Sequence, residues 1–174
     1  MRDNTVKILV TGPFNTGKTT LVRTVSEGKF LSTEVPLTLS KEKNTTTVAF
    51  DFTKVRIKGK EIFLLGSPGQ SRFSFMLDVL SQGVKAFIFL IDDKYIEDPQ
   101  KIRKKLDELK RYGKPIVIGI NMRGNKGLKK EISSDFIKDS PVVIFSAKDR
   151  FSSLKLISYT IDLIEKTKEK IRYF

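Results

Sequence analysis

A chain of 174 residues suits one domain and is long enough to bury a core. It contains no cysteine and no histidine, which excludes disulfides, thiolate metal sites, prenyl anchors and histidine-based acid–base or zinc chemistry. The net charge of +13 raises a polyanionic partner, yet the lysines are spread along the whole chain and aromatic residues do not interleave with them. A charged, solvated surface is the better reading, and no nucleic-acid partner is expected. No apolar run reaches membrane-spanning length, the N-terminus lacks a signal-like apolar region, and Arg2 is incompatible with myristoylation. A cytoplasmic protein with no lipid anchor of its own is therefore expected. Plentiful charge with few Asn, Gln and Met suggests a thermophilic source.

Val6–Val10 is apolar apart from Lys7 and predicts a strand buried on both faces. Gly12–Thr19 follows, reading G-P-F-N-T-G-K-T, and a helix is predicted over Thr20–Val25 with Leu21, Val22 and Val25 on one side. The spacing matches the phosphate-binding pattern G-x-x-x-x-G-K-[ST], here in its required order of strand, loop and helix. Gly12 and Gly17 let the backbone curl, so that amides of Phe14, Asn15, Thr16 and their neighbours point at one phosphate. The helix start, with Thr20 in its first turn, adds unpaired N–H groups and the positive end of the dipole. Lys18 would supply a point charge for the β- and γ-phosphates, and the Thr19 hydroxyl would ligate Mg²⁺.

Lys29–Lys43 shows no clean period and contains Pro36, so a loop is predicted there. Asn44–Ile57 reads as a strand in which Val48, Phe50 and Phe52 alternate with Ala49, Asp51 and Thr53. Lys58-Gly59-Lys60 turns the chain into a second strand, Glu61–Leu65, which Gly66-Ser67-Pro68-Gly69-Gln70 breaks. Phe73–Leu80 suits a short helix with Phe73, Met76, Leu77 and Leu80 on one face. Lys85–Ile91 is another apolar strand, ended by Asp92-Asp93. Asp98-Pro99 is a strong helix start, and that helix carries Ile102, Leu106 and Leu109 inward before Gly113. Pro115–Ile120 is a strand ended by Asn121. Met122–Ser140 is the least readable stretch, with a short helix around Glu131–Ile137. Pro141–Phe145 is a strand ended by Ser146-Ala147-Lys148, and Phe151–Lys170 is a helix whose core face holds Leu154, Ile157, Ile161 and Ile164. The alternation predicts a single α/β domain: a six-stranded, mostly parallel sheet with one antiparallel strand, and about five helices on its two faces.

The ordered motifs resemble those of the small Ras-like P-loop GTPases, and more closely the prokaryotic Rag/MglA-like group that works beside roadblock-domain partners. They are Gly12–Thr19, T-T-T-V-A-F-D-F at Thr45–Phe52, L-G-S-P-G-Q-S-R-F at Leu65–Phe73, Asn121 after a strand, and Ser146-Ala147-Lys148. The resemblance implies binding of GTP and GDP with Mg²⁺, and slow hydrolysis that a partner stimulates. Thr47, in a register uncertain by one or two residues, would join Thr19 on Mg²⁺ and reach the γ-phosphate. Gly69 would place an N–H on that phosphate, and Gln70, with Lys18, would form the catalytic set by orienting the attacking water. Asn121 would contact the guanine edge, the Ala147 N–H would donate to O6, and Lys148 would lie over the base beside Ser146. A roadblock-domain protein, or another activator or effector, is the implied partner, in a homo- or heterodimer.

Three departures from that pattern stand out. Gly66 occupies the place of an aspartate that helps hold Mg²⁺, with another carboxylate such as Asp92 as a substitute. Gly124 occupies the place of an aspartate that reads guanine, which weakens base selection. Phe14 stands where glycine is common and crowds the catalytic Gln. A nucleotide-binding scaffold without turnover, or a P-loop ATPase with Phe87–Asp92 as its acidic strand, remain alternatives.

Overall fold

The run Thr5–Thr11 forms strand β1 at the centre of the sheet, and alternation of its side chains divides the core in two. Ile8 and Val10 point to one face and Leu9 to the other, all three without solvent exposure. The computed structural model describes residues 4–26, 28, 31–38, 45–69, 76–92, 98–123 and 140–172. Helix α1 (Lys18–Val25) leads to β2 (Leu31–Thr38), β3 (Thr45–Ile57) and β4 (Lys60–Gly66). Then come α2 (Met76–Leu80), β5 (Ala86–Asp92), α3 (Pro99–Lys110), β6 (Ile116–Asn121), β7 (Val142–Phe145) and α4 (Arg150–Arg172).

The sheet runs in the order β2-β3-β4-β1-β5-β6-β7. Strand β3 pairs antiparallel with both β2 and β4, while the remaining pairings are parallel, so β3 alone runs against the rest. The α/β class and its one reversed strand agree with the sequence. The strand count does not: seven strands form, because residues 31–38 of the predicted loop pair with β3 from Leu31↔Phe52 to Thr38↔Thr45. β2 lies at the sheet edge, where proline is tolerated because an edge residue need not donate to a second neighbour. Pro36 therefore reads as a loop signal in a strand.

Lys58 and Gly59, with φ of 51° and 74°, form the two-residue turn that joins β3 to β4. α2 begins at Met76, and Phe73 lies outside the described residues. Among the described residues there are four helices rather than about five; the helix expected around Glu131–Ile137 lies outside them. α1 and α4 cover one face with Leu21, Val22, Val25, Leu156, Ile157, Ile161 and Ile164. α2 and α3 cover the other with Met76, Leu80, Ile102, Leu106 and Leu109. On α4 Leu156 is fully buried beside Ile157 and Ile161, whereas Leu154 is only partly buried. Among the described residues no helix is long and apolar enough to cross a membrane.

The parallel strands β1, β4, β6 and β7 end at the same edge of the sheet. Gly12–Gly17, Ser67–Gly69, Asn121 and Ser146–Lys148 are thereby gathered along one rim, where doubly wound sheets bind ligands. At the start of α3, the helix that follows β5, the Asp98 carboxylate accepts from the Lys101 N–H at 3.2 Å and caps the helix. Asp98→Ala should cost about 1 kcal/mol, read as a lower midpoint in chemical denaturation with the slope unchanged.

Candidate functional site

The loop after β1 is shaped by contact with β5. A Cβ at Gly12, whose φ is +144°, would lie 2.2 Å from the carbonyl oxygen of Leu90. Gly17 is the N-cap of α1 and has no side chain to offer the first-turn amides. Intrahelical bonding starts with the Leu21 N–H on the Gly17 carbonyl at 2.8 Å, which leaves the preceding amides directed at the loop's mouth. Asn15 adds a left-handed residue, with φ of 63°, and the buried Thr16 hydroxyl ties back to the Pro13 carbonyl at 3.0 Å. Phe14 points outward and is 70% exposed.

Lys18 closes this loop on itself. Its ammonium is nearly buried and donates to the Gly12 and Pro13 carbonyls at 2.8 and 2.5 Å. Burial pushes its pKa from 10.5 down to about 8, against a smaller upward pull from the Asp51 carboxylate. Gly69 backs directly onto this group: a Cβ there would stand 2.6 Å from Lys18 Nζ and 2.8 Å from Phe14 Cα. The segment is fixed upstream by Ser67, whose N–H donates to the Val10 carbonyl at 2.8 Å and whose hydroxyl donates to Thr11 Oγ1 at 3.0 Å.

The Thr19 hydroxyl donates to Oδ2 of Asp51, on β3, at 2.5 Å. Asp51 belongs in the sequence to the alternation of β3 and to the Thr45–Phe52 motif, with no role of its own assigned there. Its signal was an aspartate inside a strand, a position where that residue is depleted. Asp92, the substitute carboxylate considered from sequence, instead pairs with Arg123 at 3.4 Å. Thr47 lies in β3 opposite Pro36, four residues or about 13 Å along the strand from Asp51. The structure thus does not bring Thr47 to Thr19. Gln70 and Gly124 lie outside the described residues.

At the other end of the rim, Asn121 is buried and works as a brace. Its Nδ2 donates to the Thr16 carbonyl at 3.0 Å, and its Oδ1 accepts the Ala147 N–H at 2.9 Å. Ser146 is held by the Ser152 hydroxyl, which accepts its N–H and donates to its carbonyl, each at 3.1 Å. Arg150 reaches the carbonyls of Thr24 and Val25 at the end of α1, tying the two helices. Lys148 is exposed beside this loop.

The chain matches the model of the 50S ribosome-binding GTPase family over residues 7–122. It belongs to this GTPase family. It is also 32% identical to an uncharacterised protein of Methanocaldococcus jannaschii over 94 residues, 53% of this chain and 54% of that one. It is 27% identical to ADP-ribosylation factor-like protein 8d of Arabidopsis thaliana over 121 residues, 70% of this chain and 63% of that protein. The chain thus spans about half to under two thirds of the length of these curated relatives. The family match runs from β1 through Asn121 and so covers the phosphate loop, Asp51, Gly69 and the brace.

Asn121→Ala leaves the Thr16 carbonyl and the Ala147 N–H without this partner. The expected loss is about 2–4 kcal/mol of stability without added nucleotide, read by urea denaturation. Unchanged stability would remove Asn121 as the link between the two loops.

Proposed function

We propose that the protein is a GTP/GDP switch that hydrolyses GTP slowly with Mg²⁺ and signals through a partner. The observation that carries this reading is the nearly buried Lys18 ammonium, folded onto its own loop with Gly69 at its back. A triphosphate would replace the two carbonyls with phosphate oxygens, a stronger, charge-assisted interaction. The first-turn amides of α1 would hold the same phosphate group, and the Thr19 hydroxyl beside a carboxylate suits a hard cation that prefers oxygen ligands. Mg²⁺, when bound, offsets charge on the β- and γ-phosphates.

Within this reading Gln70 positions the attacking water, with Lys18 stabilising the developing charge. Thr47 reaches the metal once the first residues of β3 leave β2, and that rearrangement supplies the two states a switch needs. Asn121, Ala147 and Lys148 form the base pocket, and Ser146 holds its loop. The Ala147 N–H is engaged by Asn121, so guanine O6 competes for a donor already in use. The partner is a roadblock-domain protein, as in the Rag/MglA-like group, and it completes a site whose own carboxylates are few. A homo- or heterodimer brings that partner to the rim.

Two measurements test the function. Competition of GTP and ATP for the purified protein should favour guanine, and Lys18→Ala should weaken GTP binding by about tenfold to a hundredfold. A preference for ATP would overturn the guanine assignment, and undiminished binding by Lys18→Ala would move the site elsewhere. The second is proton linkage. Bound phosphate favours charged Lys18, so nucleotide affinity should be constant below pH 8 and fall above it, as the free protein deprotonates at a pKa of about 8. Calorimetry in buffers of different ionisation enthalpy should show proton uptake on binding near pH 9 in the wild type and less in Lys18→Ala.

A further inference from the structure

We propose that Asp51, from β3, supplies the carboxylate that orients the Mg²⁺-ligating hydroxyl of Thr19, in the space that Gly66 leaves vacant. The inference rests on the nucleotide-site reading above and assigns the metal's supporting group within it.

Three observations converge on this residue. Asp51 and Gly66 are direct cross-strand partners in the β3–β4 register. A Cβ built on Gly66 would stand 3.3 Å from Asp51 Cβ and 3.5 Å from Asp51 Oδ2. The Asp51 carboxylate therefore occupies the volume that a side chain at 66 would enter, and the two positions compete for one space. Lastly, Thr19 Oγ1 donates to Asp51 Oδ2 at 2.5 Å. A hydroxyl that gives its proton to a carboxylate turns its lone pairs away from that oxygen, toward a cation. The same carboxylate is close enough to draw the Lys18 pKa upward against burial. Asp92, by contrast, is held by Arg123 on the neighbouring strand end.

Asp51 is thus a positioning residue that acts through Thr19, and its loss should appear in metal dependence rather than in nucleotide contact. The test follows release of a fluorescent GDP analogue from the full chain across a series of free Mg²⁺ concentrations. In the wild type Mg²⁺ should slow release. Asp51→Asn should raise the Mg²⁺ concentration for half of that slowing by about 10–100-fold, a larger effect than any change of release in excess chelator. The exchange Asp51→Gly with Gly66→Asp, which moves the carboxylate to the adjacent strand, should recover most of the loss. A Mg²⁺ titration of Asp51→Asn that overlays the wild type would overturn the proposal. So would faster release by the same factor with and without Mg²⁺, which marks a purely structural role. Where circular dichroism shows the exchange variant unfolded, the titrations of Asp51→Asn and Asp51→Ala decide. If the wild type itself holds no guanine nucleotide, or releases it at a rate indifferent to Mg²⁺, the site reading fails and this assignment falls with it.

Discussion

A primary ammonium shut away from water is the constraint around which the rim of this protein is arranged. Lys18 is desolvated enough for its pKa to fall to about 8, and two loop carbonyls are what it donates to. Neutral carbonyls recover part of the lost hydration but none of the charge. A site of this kind favours an incoming anion before any specific contact is counted. The surrounding backbone is consistent with that bias. The loop curls over β5 at Gly12, α1 starts on a residue with no capping side chain, and Gly69 approaches so closely that any Cβ would meet the ammonium.

How much of this was legible in the sequence depends on whether a residue's neighbours are local. The phosphate loop was legible because its function lies in a short segment whose glycines and lysine have fixed offsets. The buried strands β1, β5 and β6 were legible as apolar runs, and α3 from Asp98-Pro99. β2 was not, since its run 31–38 shows no clean period and Pro36 argues locally against a strand, while its pairing partner lies elsewhere in the chain. Asp51 was hidden for a related reason. Its partner Thr19 lies on another element 32 residues away, and nothing in the alternation of β3 separates a functional carboxylate from a solvated one.

The base end of the rim shows the same difference between a residue's presence and its engagement. Asn121 follows a strand, as the resemblance requires, but both halves of its amide are used inside the protein. One joins the phosphate loop at Thr16 and the other joins Ala147. A buried amide with both ends paired is rigid, because leaving either partner unsatisfied costs about 1–3 kcal/mol. The brace therefore keeps two loops from different strands in a fixed relation, aided by Arg150 on the end of α1. Specificity for a base would then come from a preformed pocket edge and would not require new order on binding. With no carboxylate at position 124, less of the discrimination can rest on acidic recognition of the ring.

Moving a carboxylate from one strand to the next is geometrically inexpensive in a sheet, and this explains how Gly66 can be accommodated. Directly opposed residues on antiparallel strands place their Cβ atoms about 4.5–5.5 Å apart and on the same face. A side chain of aspartate length reaches a common point from either of two such positions. A side chain at both positions would be tight, since a Cβ on Gly66 would stand 3.3 Å from Asp51 Cβ and one of the two would have to give by a few tenths of an ångström. On the proposed assignment, the glycine leaves room for the aspartate that takes over the role of this position. On that assignment, the exchange would alter what a metal site is attached to. A carboxylate on β4 would belong to a strand paired directly with β1, whereas Asp51 belongs to the reversed strand that also pairs with the sheet edge at β2. Anything that shifts β3 by one residue turns Asp51 to the opposite face and uncouples Thr19. On the assignment proposed above, the metal's support would depend on the integrity of the β2–β3–β4 ladder.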